Sequence, residues 1–542
     1  MTTAARLLEP RGASALAALV AGVGTALAFA PFGVLPGLLG YGVLISLFDT
    51  ADPGRPLRSA FWRGWLAGAA FFLISTWWIS EAFFVDAEKH AWQAPFAIGF
   101  LAGGLGLFWG LAGVIYRALN PRGPLRVLAF AGVFCAVEWL RGHVLTGFPW
   151  DLAGESWRAG SPISQAAALV GAYGLGWITV AACAAPVLLR DAGGRRARLA
   201  GVAAAILALG GLELFGLWRL AGAAPVASSA PMVRIVQADV DEQADYTPER
   251  LQAILRDYTR LTARPAMRAP DIVVWPEGAI PAALNDYLAQ GAWTRAAIIG
   301  ALTPGQTLMV GGYRVAGPVE APVFYNTLVA LRAEGGGLRL TATYDKHRLV
   351  PFGEYLPLER YLKPLGINKL VNVGDGFTPG PPPAPIAPDG VPKVQPLICY
   401  ESLFPGFTRA GARKAGRPAW IVNVSDDAWF GRTYGPLQHL NLASYRAIEE
   451  GLPIVRATPT GVSAVIDAYG RIRPGARLDH GVSGVIDSPL PPALAPTPYA
   501  RAGSLIFWAM LAISSSAAMI GRMTLRQLPK EGDTSSNLTF AG

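Results

Sequence analysis

Seven apolar stretches crowd the first 221 residues, at about 13–30, 33–49, 62–82, 95–116, 125–140, 163–189 and 199–218, and an eighth runs over about 502–521. A helix needs about 20 residues to cross a hydrocarbon layer of about 30 Å, because each residue advances it by about 1.5 Å. Most of the eight reach that length; the second and fifth are short and read as partly interfacial. Hydrophobic residues make up 52% of the 542 and charged residues only 15%, where a soluble domain carries about 25% charged residues. The expected architecture is a multi-pass α-helical membrane domain of about eight spans, interrupted by one large insertion of different texture. Further spans follow the first at once and no small-residue cleavage pattern stands out after it, so a cleavable signal peptide is not expected.

Charge placement follows the same plan. A net charge of +9 suits a nucleic-acid surface in principle, but here the arginines concentrate in short connections between apolar stretches. Arg6 and Arg11 precede the first stretch; Arg55, Arg58 and Arg63, then Arg117, Arg122 and Arg126, then Arg190, Arg195, Arg196 and Arg198 fill every second connection; Arg522, Arg526 and Lys530 follow the last stretch. Basic residues in alternate loops mark the cytoplasmic side and leave no reason to expect a nucleic-acid partner. The remaining connections mix Lys89, Arg141 and Arg158 with Glu81, Asp86, Glu88, Asp151 and Glu155. Both termini are thus expected in the cytoplasm and the insertion on the outer face. That divides the chain into a membrane domain over 1–222, an outer domain over 223–497, a last span over 498–525 and a tail over 526–542. Trp77, Trp78, Trp92, Trp139, Trp150 and Trp157 fall near span ends, where indoles anchor in the headgroup zone.

Within the insertion, strand-like runs recur at 232–240, 271–277, 307–314, 325–331, 340–346, 394–401, 419–425, 454–458, 463–467 and 481–487, with helical patterns at 247–264 and 436–450. Thr247, Pro248 and Glu249 open the first helix with a capping hydroxyl, a proline that has no N–H to lose and an acid in the first turn. Strands mixed with helices in this way imply a layered α/β domain. The proline-rich 377–392 reads as a loop.

Three chemically distinctive side chains close strand-like runs in this block: Glu277 after Ile272-Val273-Val274-Trp275-Pro276, Lys346 after Thr343-Tyr344-Asp345, and Cys399 after Leu397-Ile398. The other two cysteines, Cys135 and Cys183, sit inside apolar stretches and read as small hydrophobes rather than as a disulfide framework. A thiol that takes an acyl group from an ester has to be deprotonated, and the oxyanion of its tetrahedral adduct has to be stabilised. Glu277 suits the first task and Lys346 the second, since a nearby ammonium also favours the thiolate. A glutamate that has taken the thiol proton serves again when an amine attacks and must shed one. The pattern therefore points to a two-stage acyl transfer. The five histidines show no paired spacing and no phosphate-cradling glycine loop stands out, so no metal and no cofactor is expected.

Trp275-Pro276-Glu277, Tyr344-Asp345-Lys346-His347 with Leu349-Val350-Pro351-Phe352-Gly353-Glu354-Tyr355, and Ile398-Cys399-Tyr400-Glu401 resemble the three catalytic blocks of the nitrilase, or carbon–nitrogen hydrolase, superfamily. The spans, Thr146-Gly147-Phe148-Pro149-Trp150, Tyr325-Asn326-Thr327, Asp427-Ala428-Trp429-Phe430-Gly431 and Gly435-Pro436-Leu437-Gln438-His439 narrow the resemblance to bacterial apolipoprotein N-acyltransferases. That resemblance implies a four-layer αββα sandwich on the outer face of the inner membrane. It implies transfer of an acyl chain from a phospholipid, typically phosphatidylethanolamine, to the α-amino group of a diacylglyceryl-cysteine on an apolipoprotein. Cys399 is then the thioester carrier, Glu277 the base and Lys346 the oxyanion partner, helped by the Tyr400 N–H and supported by Glu354. Asn326, Glu401, Trp429 and Phe430 match positions around the nucleophile and pocket, and the apolar arms at Phe352 and at Trp429-Phe430 suit the exclusion of water from a waiting thioester. A membrane-planted copy is expected to be monomeric.

The chain departs from the family pattern at Gln243-Ala244-Asp245-Tyr246, where a lysine-tryptophan pair is common, at Asp426, where an asparagine is usual, and at Pro459-Thr460-Gly461, in place of Asn-Asn-Gly. These departures bear on substrate contacts more than on catalysis. Two rival readings differ from acyl transfer to an amine. A membrane-tethered amidase would pass the acyl group to water and has no need of eight spans; a transporter would need polar pairs in its central spans, which are mostly lacking.

Overall fold

The computed structural model describes residues 3–191, 195–243, 246–357, 359–362, 364 and 376–523. The expected tail over 526–542 and, of the departures named above, Ala244 and Asp245 lie outside the described residues. The amino-terminal part is helical, with α1 at Thr3–Leu27, α2 at Gly40–Asp49, α3 at Pro56–Thr76, α4 at Ala94–Leu119, α5 at Arg126–Arg141, α6 at Ala167–Ala184 and α7 at Arg195–Ala221. Each expected apolar stretch thus forms a helix. Counting the last helix of the chain, five helical segments among the described residues are long and apolar enough to cross a membrane.

Lipid tails give apolar helices no hydrophobic reason to associate, so close packing over small residues has to do it. Gly64 and Gly68 on α3 face Gly106 and Gly110 on α4, and a methyl group added at Gly64 would collide with the Trp109 carbonyl. Phe100, Leu207, Leu214 and Trp218 instead point outward, at least 69% exposed, as side chains that face lipid. Cys135 and Cys183 are buried free thiols.

Among the described residues the insertion has eleven strands: β1 Met232–Gln237, β2 Ile272–Trp275, β3 Thr307–Ala316, β4 Val323–Glu334, β5 Gly337–Asp345, β6 Val394–Ile398, β7 Trp420–Val424, β8 Ile454–Ala457, β9 Ser463–Ile466, β10 Ile472–Leu478 and β11 Gly484–Pro489. Among them run α8 Pro248–Thr262, α9 Trp293–Ala301, α10 Phe407–Ala415 and α11 Gly435–Glu450, and α12 Leu505–Met523 returns to the helical part. One sheet has the order β11-β1-β2-β3-β4-β5 and the other β10-β9-β8-β7-β6. Val233, Ile235, Ile272 and Val274 of the first pack against Ile398, Val422, Val424 and Val455 of the second. The outer face of the first sheet, with Val273 and Trp275, is covered by Leu255 and Tyr258 of α8 and Ile298 of α9; that of the second, with Leu397 and Ile421, by Phe407 of α10 and Leu440 of α11. This is a four-layer αββα sandwich. Because both faces of each sheet are covered, central strands are unbroken apolar runs such as Ile272-Val273-Val274-Trp275.

Three elements, α9, α10 and β10, have no counterpart among the expected runs. Pro474 and Gly475 hide β10 in the sequence, but it is an edge strand whose pairing with β9 slips between Ile472 and Arg477. An edge tolerates a missing N–H and a bulge.

The sandwich meets the helical part through α11. Tyr445 donates to the carbonyls of Gly154 and Trp157 at 2.9 and 2.7 Å, and the Ala172 N–H donates to Glu449 at 2.8 Å. Arg446 reaches Glu155 at 2.9 Å and Glu449 at 3.0 Å, with all three side chains at most 2% exposed. Trp78 and Trp150, expected in the headgroup zone, are instead 2% and 3% exposed. Their indole N–H groups both donate to Gln438 Oε1, at 2.9 and 3.1 Å, because this joint offers each ring an apolar wall and each N–H an acceptor.

Removing one member of a buried ion cluster strands the others. Arg446→Ala is therefore expected to destabilise the folded protein by about 3–5 kcal/mol, read as a lowered thermal midpoint in detergent.

Candidate active site

Glu277, Lys346 and Cys399 each lie just past the carboxyl end of a strand, β2, β5 and β6 respectively, where open α/β sheets leave a crevice. β3 and β4 separate β2 from β5 in the first sheet, and β6 belongs to the second, so only the stacking of the two sheets brings the three together. Lys346 is 1% exposed. Its Nζ lies 3.2 Å from Glu277 Oε1 and 2.9 Å from Glu354 Oε1. Asn326, on β4, donates from Nδ2 to the same two oxygens at 2.7 Å each. The Asp426 N–H donates to Glu277 Oε2 at 2.8 Å, and the Val350 N–H to Glu354 Oε2 at 2.8 Å. Both carboxylates are therefore held at both oxygens. Burial pulls the Lys346 pKa down, but the charges of Glu277 and Glu354 outweigh it and raise it above the usual ammonium range.

Cys399 opens a short helical turn, Cys399–Leu403, with φ 47°, a left-handed conformation that few residues with a Cβ adopt. It sits at a sharp strand-to-turn corner, partly exposed. Burial first, then the charge of Glu277, pushes the thiol pKa up; Lys346 and a hydrogen bond with Ser425 pull it down without overcoming the rise. The resting sulfur is thus a thiol that needs a base at the moment of attack, beside a cation able to hold an oxyanion.

The remaining expected residues fall into two groups. Phe352, 49% exposed and at φ 63°, and partly exposed Trp429 are free to meet a ligand. Phe430 is turned inward, its ring centroid 4.4 Å from that of Trp78. Tyr400 is buried and its hydroxyl donates to the Gly147 carbonyl of the connection after α5. Glu401, expected around the substrate, is instead fully buried as a brace. Its oxygens accept from the N–H groups of His347, Arg348 and Ile398 at 2.7, 3.2 and 2.9 Å and from the Tyr344 hydroxyl at 3.0 Å. It ties the turn at Cys399 to the segment after Lys346.

Sequence reasoning missed the set behind the sulfur. Asp427 accepts from Ser425 Oγ at 2.8 Å and from Arg456 at 2.7 Å and lies 3.0 Å from His439 Nδ1, while His439 Nε2 lies 3.0 Å from Ser402 Oγ. Burial alone would push Asp427 up, yet Arg456 and His439 hold it well below the usual carboxylate range. The signal available was position: Ser425 and Asp427 follow β7 as Cys399 follows β6. Asp426, the departure from the family pattern, caps the next turn through Oδ1 with the Ala428 N–H at 3.1 Å.

Residues 232–495 match the Carbon-nitrogen hydrolase family and residues 21–185 the Apolipoprotein N-acyltransferase N-terminal domain. The chain is 55% identical over 518 residues to an apolipoprotein N-acyltransferase of Caulobacter vibrioides, covering 95% of this chain and 96% of the relative. It is 38% identical to one of Allorhizobium ampelinum, covering 94% and 96%. A solved amidase of Nesterenkonia from the nitrilase superfamily aligns with 52% of this chain and 98% of its own at 18% identity and a TM-score of 0.35. With near-complete coverage of relatives that share both its helical part and its α/β part, this chain belongs to the apolipoprotein N-acyltransferase family and is an acyltransferase.

Proposed function

We propose that this enzyme N-acylates the α-amino group of a diacylglyceryl-cysteine on an apolipoprotein, with a phospholipid as acyl donor, in two stages through a thioester on Cys399. The observation that carries the reading is the meeting of the Cys399 thiol, a carboxylate at Glu277 held at both oxygens and a buried ammonium at Lys346. In the first stage Glu277 takes the thiol proton, the sulfur attacks the ester carbonyl, and Lys346 with the Tyr400 N–H stabilises the oxyanion. The adduct collapses to the thioester, and the proton on Glu277 passes to the departing glycerol oxygen, releasing a lysophospholipid. In the second stage the amine attacks the thioester, Glu277 takes a proton from its nitrogen, and the departing sulfur receives it back. Glu354 and Asn326 support both stages by holding Lys346 and Glu277 in place.

Phosphatidylethanolamine is the donor this reading expects, with Phe352 and Trp429 lining the acyl path. Arginine-bearing alternate loops support an inner-membrane protein whose termini are cytoplasmic and whose α/β part, over 223–497, stands outside between spans. A monomer suffices, since every proposed catalytic group comes from one chain.

Glu242 adds a consequence for pH. Burial first, and the Glu277 charge after it, push its pKa up to about 7 against hydrogen bonds with Asp426 and Tyr246, and Asp426 is pushed up as well, by burial and then by Glu242 and Glu277. Two carboxyls in contact share a proton, which spares Glu277 a second neighbouring anion.

Incubation with labelled phospholipid is expected to leave labelled acyl on Cys399 that a diacylated peptide amine removes and water does not. Cys399→Ala abolishes that label, and Glu277→Gln slows its formation by about 10²–10⁴-fold; labelling that survives Cys399→Ala sinks the mechanism. An unfolded glutamate titrates near about pH 4, so from there to about 7 the folded chain holds a proton the unfolded chain has lost, and stability falls as pH rises through that window. Glu242→Gln is therefore expected to raise the thermal midpoint by about 2–4 °C at about pH 8, with the gain fading at about pH 4.

A further inference from the structure

Holding a peptide by its oxygen aims its nitrogen, because the C=O and N–H of a planar trans peptide point in opposite directions. The trans peptide that joins Cys399 to Tyr400 is held in this way. Its oxygen, the Cys399 carbonyl, accepts from Ser402 Oγ at 2.8 Å, and both residues belong to the turn Cys399–Leu403. Ser402 Oγ lies 3.0 Å from His439 Nε2, and His439 Nδ1 lies 3.0 Å from Asp427 Oδ1. Arg456 at 2.7 Å and Ser425 Oγ at 2.8 Å fix Asp427 in turn. Ser402 and Asp427 are fully buried and His439 is 1% exposed, so bulk water does not compete for these bonds. Cys399 itself sits at φ 47°, in a strained region that persists only where the surroundings enforce it.

The acceptors decide where the protons lie. Asp427 is a carboxylate and can only accept, so His439 carries its proton on Nδ1. Burial first, then the charge of Arg456, push the His439 pKa down against the pull of Asp427, which leaves Nε2 bare. The one hydroxyl proton of Ser402 therefore lies between two acceptors, Nε2 and the Cys399 carbonyl.

We propose that Ser402 is a positioning residue for acyl transfer: by donating to the Cys399 carbonyl it turns the Tyr400 N–H of the same peptide toward the oxyanion, and His439 holds Ser402 in place for that bond. This rests on the thioester mechanism above, in which the Tyr400 N–H and Lys346 receive the oxyanion. As the sulfur attacks the ester, the π pair of the ester carbonyl moves onto its oxygen. A Tyr400 N–H that donates to this charge leaves its own peptide oxygen more negative, since hydrogen bonds in a chain polarise one another. The Ser402 proton then settles on the Cys399 carbonyl in preference to Nε2. Attack of the amine on the thioester builds a second oxyanion and calls on the same bond again.

Two reactions of the one sulfur test this, both read at the Cys399 peptide by mass spectrometry in the full-length protein. Labelling by phospholipid builds an oxyanion; alkylation by iodoacetamide displaces iodide from a saturated carbon and builds none. Ser402→Ala is expected to slow acyl labelling about tenfold, the rate equivalent of one ordinary hydrogen bond, and to leave alkylation at the wild-type rate. The fall is smaller than the about 10²–10³-fold cost of losing an oxyanion donor outright, because the Tyr400 N–H remains. Ser402→Thr, which keeps the hydroxyl, keeps the two rates in the wild-type ratio. Damage to the fold around the sulfur changes both reactions together, so a Ser402→Ala protein whose two rates change equally overturns the role of Ser402. A Ser402→Thr protein with the Ser402→Ala ratio overturns it as well. A wild type that reacts with iodoacetamide but never carries a lipid acyl group overturns instead the thioester mechanism on which that role rests.

Discussion

The Lys346 ammonium, 1% exposed between two carboxylates, is the interaction on which the rest depends. Taking such an ion out of water costs several kcal/mol, repaid only if opposite charges and hydrogen bonds surround it. Here the surroundings come from three places in the chain: Glu277 beyond β2, Asn326 on β4 and Glu354 in the turn that follows Lys346. The cluster ties one edge of the first sheet to its middle, and the Asp426 N–H on Glu277 ties both to the second sheet. A charge cluster that also holds a sandwich together is fixed in advance and needs little rearrangement to meet a ligand.

The helical part contributes to the site as well as to its setting. Gly147 and Thr146, in the connection after α5, accept from the Tyr400 hydroxyl and from Arg348. α11 has two working faces: His439 supports the nucleophile's turn through Ser402 and Asp427, while Tyr445 and Arg446 engage the segment 154–157. The helix that seats the α/β part on the membrane helices is thus the one that steadies the sulfur.

Much of this was legible in the chain. Apolar runs of about 20 residues can only be helices in a hydrocarbon layer, because every backbone group must be paired internally. Short apolar runs ending in Glu277, Lys346 and Cys399 named the strands β2, β5 and β6. Illegible elements were those whose local signals conflict with their place. Pro474 and Gly475 mask β10, which only its position at a sheet edge permits. Glu401 follows the nucleophile by two residues and looks available, yet the turn at Cys399 swings it inward onto four donor groups. Trp78 and Trp150 sit at span ends, as anchors would, but an acceptor on Gln438 draws both away from the headgroups.

By itself the sequence determined which segments form apolar helices and which form strands, and it singled out Glu277, Lys346 and Cys399, since these follow from local pattern and residue type. What the tertiary structure alone decided is which groups touch: that Asn326 bridges Glu277 and Glu354, and that Asp426 offers its backbone N–H to Glu277. Those contacts join residues 28 to 149 positions apart. No local pattern encodes them, because they arise from strand order, parallel register and the stacking of two sheets, which are properties of the whole chain folded at once.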